Sequence, residues 1–455
     1  MPTGGGGGSR GPGRVGSESG SVGAAGAATR ASPAPPSGGT DPRTERLAPG
    51  VVRSIFPDGF TVLTETMEGV RSLAAGVWIR QGTVHEPAPL RGISHLLEHM
   101  VFKGTGRRSA RQIALEIEEV GGNLDAYTTH EHTAFTARVP ADHTERALDV
   151  LCDMVFSPTL RARDLEPERE VVLEEIAGVE DSPDQLVFEL HAPFLYGSHP
   201  YGAPILGTRT TASALTERDL RDLHRGAYRR SNAVFTAAGR VDHEALVESL
   251  LGRLPAEEPA RSAAVDEPRT WGRGTRRVER EGGQQAHVVA AVPGVPYGHP
   301  LRYAAVLVET ALGEGMSSRL FQRVREELGL AYTIYSFHAF YGRAGHAGAY
   351  LATRPETAEE AREAMLQELD VLAREGLRPQ ELASTREQLK GSAMLSLESP
   401  ASRMHRLAGT ALYGEPFRTM DELARLIDGI TVDEAAEAAA LFEPDRAAVL
   451  ELAPA

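Results

Sequence analysis

Cysteine is nearly absent from this sequence of 455 residues, which contains Cys152 and no other. A single cysteine excludes an internal disulfide and a cysteine-based zinc site. The chain also lacks an apolar run of about 18 residues, so it contains no predicted membrane-spanning helix. Positive charge is in deficit, because 48 Lys and Arg face 63 Asp and Glu and leave a net charge of −15. That balance argues against nucleic acid or an anionic membrane as a partner.

Large apolar side chains are scarce in residues 1–46, which consist mainly of Gly, Ser, Ala, Pro and Arg. Such a segment buries too little surface to order itself. It has no apolar core of a secretory signal, so we expect a disordered tail on a cytoplasmic protein. The alternative is a transit peptide, since Arg10, Arg14 and Arg30 are present and acidic residues are few.

Residues 92–104, GISHLLEHMVFKG, predict a buried helix, because apolar side chains occupy both of its sides. His95, Glu98 and His99 stand at i, i+3 and i+4 and therefore project in one direction. Buried polar groups are costly unless they are paired or bind a metal. Two histidines spaced by four can chelate zinc, and the glutamate beside them can take a proton from metal-activated water. The alternative is a helix whose polar rim happens to carry two histidines.

A second helix is predicted over residues 165–179, with Asp164 as a candidate N-cap. Glu175 lies at the edge of its apolar stripe, and Glu168, seven residues earlier, projects nearly the same way. Glu175 is therefore a candidate third zinc ligand, with Glu168 as an accessory carboxylate. The alternative is a glutamate at the edge of the stripe that reaches water.

A rival metal pair occurs in residues 123–139, which predict one strand. His130 and His132 stand at i and i+2 and would share one face of that strand. We favour solvated histidines, because Glu131 between them would point to the other face.

The second half of the sequence repeats the first. Residues 160–183 align without a gap with residues 377–400, an offset of 217 positions (377 − 160), and each segment is followed by Leu-Tyr-Gly. Glu175 and Glu168 become Ser392 and Thr385 in the copy, which also lacks the H-x-x-E-H sequence. Two homologous domains are therefore predicted, and only the first has the metal set. Their predicted bounds are 47–255 and 278–455, with a linker at 256–277.

His95-x-x-Glu98-His99, with Glu175 seventy-six positions after His99, resembles the M16 (pitrilysin-type) zinc peptidases, and the layout is similar to their bacterial and mitochondrial-processing-peptidase branch. The resemblance covers about residues 47–455. It implies an α+β fold of two α/β-roll domains, each an antiparallel-rich sheet packed by helices, that enclose a chamber. It also implies one Zn²⁺ per chain, with His95, His99 and Glu175 as ligands, Glu98 as general base and Glu168 as accessory carboxylate.

The same resemblance extends to the second half, through residues 313–321, GEGMSSRLF, and 325–332, REELGLAY. It implies that Arg325 and Tyr332 bind substrate and stabilise the transition state. Without the family, a surface arginine and a core tyrosine would be the simpler interpretation. Asp125 and Ala126 stand where the family usually has Asn-Ala at the start of its substrate-binding edge strand. Backbone pairing with an extended peptide tolerates that change, because it uses main-chain groups and not that side chain.

The sequence thus predicts a zinc-dependent endopeptidase that cleaves extended or unfolded peptides, as a homodimer, with no nucleic-acid or membrane partner. The charge of −15 adds a hypothesis, a preference for basic segments. The alternative is a non-catalytic structural or assembly subunit of the same fold, although the intact metal motif disfavours it. A metal-binding regulatory protein has no DNA-binding motif or basic patch to support it.

Overall fold

A computed structural model describes residues 42–255 and 264–455. In these residues the strands form two open sheets, one in each half of the chain. The strands are β1 (Arg43–Ala48), β2 (Val51–Ile55), β3 (Thr61–Thr66), β4 (Ser72–Ile79), β5 (Asn123–Thr128), β6 (Thr133–Pro140), β7 (Ala233–Gly239), β8 (Gly274–Arg280), β9 (Ala286–Pro293), β10 (Ala331–Phe340), β11 (Gly345–Thr353) and β12 (Ala448–Pro454).

Helices cover both sheets. They are α1 (Ile93–Val101), α2 (Ala110–Glu118), α3 (Thr144–Phe156), α4 (Ala162–Asp181), α5 (Pro183–Tyr196), α6 (Arg209–Ala214), α7 (Glu217–Ala227), α8 (His243–Leu251), α9 (Arg302–Gly313), α10 (Ala358–Glu375), α11 (Pro379–Ser396), α12 (Pro400–Tyr413), α13 (Met420–Gly429) and α14 (Val432–Ala439). A π-helical turn spans Phe321–Glu327. Among the described helices, none is both long and apolar enough to cross a membrane.

The five strands of the second sheet have the topology of five of the seven strands of the first. The first has the order β1-β2-β3-β7-β4-β6-β5, and the second, from its opposite edge, has the order β8-β12-β9-β11-β10. In each sheet one pair is parallel, β3 with β7 and β8 with β12, and the remaining neighbours are antiparallel. Strands β5 and β10 therefore occupy equivalent edges. The predicted fold of two homologous domains, each a sheet packed by helices, is confirmed.

The internal repeat corresponds to the helix pairs α4–α5 and α11–α12. The first residues of α5 and α12, Pro183 and Pro400, are separated by the predicted offset of 217 positions (400 − 183), as are their last residues, Tyr196 and Tyr413 (413 − 196). The two helices are exchanged between the halves, because α5 packs on β9 and β12 whereas α12 packs on β3, β4 and β7. This exchange joins the halves through buried apolar surface.

Strand β4 shows how one strand serves both faces of the first sheet. Leu73, Val77 and Ile79 point into the main core with helices α1 and α3. Ala74 and Trp78 alternate with them and pack against α12. Alternation of this kind follows from the period of two in a strand. Because both faces are covered, the strand is apolar throughout and almost entirely buried.

Two predicted domain bounds need correction. Residues 1–41 of the tail and 256–263 of the linker lie outside the described residues, but residues 43–46 and 274–277 belong to strands β1 and β8. The parallel partner of β8 is β12, from the end of the chain. A charged strand such as Gly274–Arg280 has no apolar pattern of its own, and only that distant partner defines it as a strand.

Candidate metal centre and active site

Helix α1 holds three of the predicted site residues on one side. Its N-terminal end is fixed by Glu86, whose two carboxylate oxygens accept hydrogen bonds from the backbone N–H groups of Gly92 and Ser94, each at 2.8 Å. A carboxylate at this end also complements the helix dipole. Gly92 has a φ of 91°, which residues with a side chain rarely adopt. A Cβ there would also meet the Leu206 carbonyl oxygen at 2.5 Å, so both the backbone conformation and the space require glycine. No pattern in the sequence indicates this role of Glu86.

Helix α4 supplies the predicted third ligand. It begins at Ala162 with Arg161 as N-cap, so Asp164 is not the cap. The reason is that the backbone N–H of Asp164 already donates to the Arg161 carbonyl within the first turn, at 3.0 Å. Val172 and Ile176 form the buried stripe, as predicted, and Glu175 lies at its edge. Contact between α1 and α4 then brings Glu175 over the two histidines of α1.

The side chains of His95, His99 and Glu175 meet. One ligand atom from each lies within 4.8 Å of the others. The Nε2 atoms of His95 and His99 lie 3.6 and 3.7 Å from the two oxygens of Glu175. Among the described residues, this is the single group of three such side chains with that spacing.

The chemistry of this group fits a zinc ion. Glu175 Oε2, which faces His95 Nε2, is buried without a hydrogen-bond partner in the described part of the chain. Burial and the neighbouring His99 lower the pKa of His95 to about 4, so its imidazole is neutral and free to ligate at neutral pH. Two imidazoles and one carboxylate form a known zinc set that leaves coordination positions open.

Glu98 lies on the same helix and is buried. Its Oε2 accepts a hydrogen bond from the hydroxyl of Thr128, the last residue of β5, at 2.6 Å. Burial raises the pKa of Glu98, and the bond from Thr128 opposes that rise. A carboxylate in this environment is suited to take up and release a proton. Thr128 was not identified from the sequence.

Glu168 is buried on α4 and contacts the side of the His99 ring opposite Glu175. Its Oε2 lies 3.3 Å from His99 Nδ1, and its Oε1 is paired with the Lys103 ammonium group. A carboxylate on Nδ1 fixes the tautomer that leaves Nε2 available for a metal. Glu168 thus lies where an accessory carboxylate would act.

Asp125 and Ala126 lie on β5, at the edge of the first sheet, where β5 pairs with β6 alone. The exposed Asp125 carboxylate accepts a hydrogen bond from the Ala126 N–H at 3.0 Å, while Ala126 packs on the core. The outer backbone edge of β5 is therefore the place where an added strand would pair. Residues 123–139 form two strands with a turn rather than the single predicted strand.

Arg325 and Tyr332 lie together in the second half. The Arg325 guanidinium stacks between the rings of Phe321 and Tyr332, at 4.5 and 4.6 Å from their centroids. Tyr332 is the second residue of β10 and is 77% exposed, so it is not a core tyrosine. Among the described contacts, none joins this pair to the three metal-ligand candidates.

His130 and His132 lie in the turn between β5 and β6, not on a strand. His130 Nδ1 is 2.8 Å from the Thr83 hydroxyl, and His132 Nδ1 is 3.2 Å from the Thr129 hydroxyl. Burial lowers the pKa of both histidines to about 4. Both histidines are half-buried, and each ring lies against a neighbouring hydroxyl group rather than fully in solvent.

Comparison with known proteins agrees with this geometry. Residues 61–209 match the insulinase (peptidase family M16) model, and residues 214–389 match the model of the peptidase M16 inactive domain. The chain belongs to the M16 family. The M16 relatives include the uncharacterized zinc protease YmxG of Bacillus subtilis, 38% identical over 84% of this chain and 93% of that protein. Another is an uncharacterized zinc protease of Streptomyces coelicolor, 38% identical over 86% and 88%.

Solved structures support the M16 fold as well. A peptidase M16 inactive domain from Pseudomonas fluorescens superposes with a TM-score of 0.83 at 22% identity, over 89% of this chain and 98% of that one. A protease from Helicobacter pylori superposes with a TM-score of 0.83 at 21% identity, over 91% and 100%. At such identities the likeness concerns the fold alone.

Proposed function

We propose that this chain is a zinc-dependent endopeptidase that hydrolyses extended or unfolded peptides. The observation that carries the proposal is the convergence of His95, His99 and Glu175, whose ligand atoms lie within 4.8 Å of one another, beside the buried carboxylate of Glu98. The names of the M16 relatives as zinc proteases support the same chemistry.

The three residues would hold one zinc ion per chain. A bound zinc ion supplies Lewis-acid chemistry, since it acidifies water and polarises a carbonyl group. Glu168 keeps the His99 ring in the tautomer that presents Nε2 to the site, and Lys103 balances the charge of Glu168.

Glu98 moves the proton. In the proposed reaction its carboxylate accepts one proton from the attacking water, whose oxygen bonds to the scissile carbonyl carbon. When the C–N bond breaks, Glu98 returns that proton to the leaving amine, and the products are a new carboxyl group and a new amino group. The hydrogen bond from Thr128 holds the carboxylate in one orientation during both transfers.

The substrate would bind as an added strand along β5. The free backbone edge supplies N–H and C=O groups to an extended peptide, and this pairing needs no particular side chain. Asp125 and Ala126 would be among the residues that pair with the peptide. They lie near Thr128, the last residue of β5, which donates a hydrogen bond to Glu98. The acidic net charge of −15 favours peptides with basic residues.

Arg325 and Tyr332 are proposed to act as donors to the substrate and to the developing oxyanion. Their stacked arrangement fixes the guanidinium, and the exposure of Tyr332 leaves its hydroxyl open to a bound peptide. We further propose that two chains form a homodimer around the substrate, and that the protein works in the cytoplasm. We also propose that the two domains enclose the bound peptide in a chamber.

The test compares cleavage of an unstructured basic peptide by the wild type and by Glu98→Gln, with the zinc content of both. We expect both proteins to hold zinc near one equivalent and the wild type alone to cleave. Glu175→Gln should lose zinc and activity together, whereas Glu174→Gln, altered at an exposed position one residue away, should keep both.

The second candidate function, a non-catalytic structural subunit, predicts a different result. A wild type that holds zinc but cleaves no peptide of a broad library would favour it. Wild-type protein without zinc would contradict the assignment of the metal centre.

A further inference from the structure

Glu131 stands at the turn between β5 and β6 and is bonded to the second half of the chain. Its Oε1 accepts a hydrogen bond from the Tyr201 hydroxyl at 2.6 Å. The backbone N–H of Gly342 donates to both carboxylate oxygens, at 2.9 and 3.0 Å. One carboxylate thus accepts hydrogen bonds from a residue between α5 and α6 and from the turn between β10 and β11.

The partner Gly342 lies in the equivalent turn of the second half. The hairpin β10–β11 occupies in the second sheet the place that β5–β6 occupies in the first. The tips of the two equivalent hairpins therefore meet at Glu131 and Gly342. A Cβ on Gly342 would lie 3.1 Å from Glu131 Oε1, which is closer than ordinary van der Waals contact, so the backbone approaches the carboxylate closely.

The tyrosine donor is fixed by its own packing. The Tyr201 ring is stacked on Tyr341 at 4.4 Å between centroids, with an interplanar angle of 11°. Burial and the neighbouring Glu131 raise the pKa of Tyr201, so the hydroxyl remains a donor. The contacts of Glu131 are consequently made with rigid partners.

The turn that contains Glu131 leads directly to the proposed general base. Thr128, three residues before Glu131, ends β5 and donates to Glu98 at 2.6 Å. Within the turn, the Thr129 N–H donates to the His132 carbonyl at 2.8 Å, and the Val84 N–H donates to the His130 carbonyl at 2.8 Å. The residue that contacts Gly342, Glu131, and the residue that contacts Glu98, Thr128, are therefore only three positions apart in one short segment.

We propose that Glu131 is a positioning residue through which the metal-free second half holds the β5–β6 hairpin, and with it the Thr128–Glu98 hydrogen bond and the peptide-binding edge. This role rests on the proposed peptidase function. It gives the second half a task in catalysis other than supplying Arg325 and Tyr332. Removal of the carboxylate should loosen both hairpin tips and misplace Glu98 while the metal ligands, on α1 and α4, stay in place.

The first test is hydrogen exchange and does not depend on activity. It compares wild type, Glu131→Ala and Glu131→Gln, each with and without zinc. We expect amides of residues 124–134 and 341–344 to exchange about tenfold faster in Glu131→Ala, with residues 93–101 and 162–181 unchanged. Glu131→Gln keeps one carbonyl oxygen for Tyr201 and Gly342 and should remain within about threefold of the wild type.

A matched control is available in Glu65→Ala. Glu65 is a carboxylate of the first half that is also paired with the second half, through Arg403 on α12, but it is buried and lies on β3. This variant should lower stability without faster exchange in the two hairpins. Unchanged hairpin exchange in Glu131→Ala, or equal acceleration in Glu65→Ala, would overturn the proposal.

The second test is a double-mutant cycle with Thr128→Val on the zinc-loaded protein. Each single variant should lower kcat/KM about tenfold with zinc retained. If Glu131 acts through Thr128, the kcat/KM of the double variant should lie within about threefold of that of the less active single variant. A loss of about a hundredfold would show independent effects and would refute this route. A wild type that cleaves no peptide would refute the proposed function instead, and the exchange result would still decide whether Glu131 holds the hairpin.

Discussion

Glu168 Oε2 lies 3.3 Å from His99 Nδ1, on the side of the ring opposite Glu175. The imidazole is therefore held between two carboxylates of α4, one toward each ring nitrogen. In metal sites a carboxylate on the outer nitrogen sets the tautomer and raises the basicity of the ligating one. Lys103 pairs with the second oxygen of Glu168 and so fixes the carboxylate in turn.

The first prediction concerns this contact. Glu168→Gln should weaken zinc binding by about tenfold to a hundredfold, since the amide is a poorer partner for the His99 ring. Competition with a chromophoric chelator measures the affinity. Glu166→Gln, on the same helix with a side chain 70% exposed, is the control and should match the wild type. Equal zinc affinities for all three proteins would show that Glu168 has no part in zinc binding.

The second prediction concerns removal of the metal. Because the proposed ligands join α1 to α4, zinc binds the folded chain in preference to the unfolded one. Free zinc at a hundred times Kd should stabilise by about 2.7 kcal/mol, and chelation should lower the unfolding temperature accordingly. Far-UV circular dichroism at room temperature should change little, because neither sheet includes the ligands. Addition of zinc to Glu175→Gln should leave the unfolding temperature unchanged, and a shift equal to that of the wild type would contradict the ligand assignment.

Helical periodicity accounts for what the sequence predicted well. The positions i, i+3 and i+4 placed His95, Glu98 and His99 on one side of α1, and a seven-residue spacing placed Glu168 beside Glu175. Both relations are local and need no knowledge of the fold. The repeat supplied the two-domain fold in the same way, since a gapless offset keeps every helix of α4–α5 aligned with α11–α12.

Contacts across the fold were not predictable from such patterns. Glu86, Thr128 and Glu131 each lie outside α1, and their roles depend on which backbone or side-chain donor the tertiary structure brings to them. The turn after Thr128 was missed because no Gly or Pro marks the reversal at residues 129–132, although the polar run at residues 128–133 interrupts the alternation there.

The third prediction concerns the stability at low pH. Burial lowers the pKa of His191 from 6.5 to about 4, although its Nε2 lies 2.9 Å from the Ala448 carbonyl oxygen. In the unfolded chain this imidazole protonates near its ordinary pKa. Between about pH 6.5 and about pH 4 the unfolded state therefore binds the extra proton, and stability falls by about 1.4 kcal/mol per pH unit, or about 3 kcal/mol in total.

His191→Gln isolates this effect. Glutamine keeps an N–H donor for Ala448 but cannot titrate, so the free energy of unfolding should decline less steeply with falling pH than in the wild type. Urea unfolding at several pH values gives both curves, and each protein at about pH 8 serves as its own reference. Parallel curves would show that His191 is not neutral in the fold.

The last prediction concerns the hydroxyl of Tyr332. Tyr332→Phe keeps the ring on which Arg325 stacks, at 4.6 Å, and removes one proposed donor to the oxyanion. Loss of one such donor should lower kcat by about a hundredfold to a thousandfold, with zinc content and unfolding temperature unchanged.

Tyr335→Phe is the matched control, because Tyr335 lies three residues further along β10, is 37% exposed and has no proposed part in the reaction. It should cleave at the wild-type rate. If Tyr332→Phe raised KM and left kcat intact, the hydroxyl would bind ground state and transition state alike, and Tyr332 would be a substrate-binding residue rather than a stabiliser of the oxyanion. If both variants cleaved as the wild type does, the second half would contribute to catalysis through Glu131 and its hairpin contacts but not through this tyrosine.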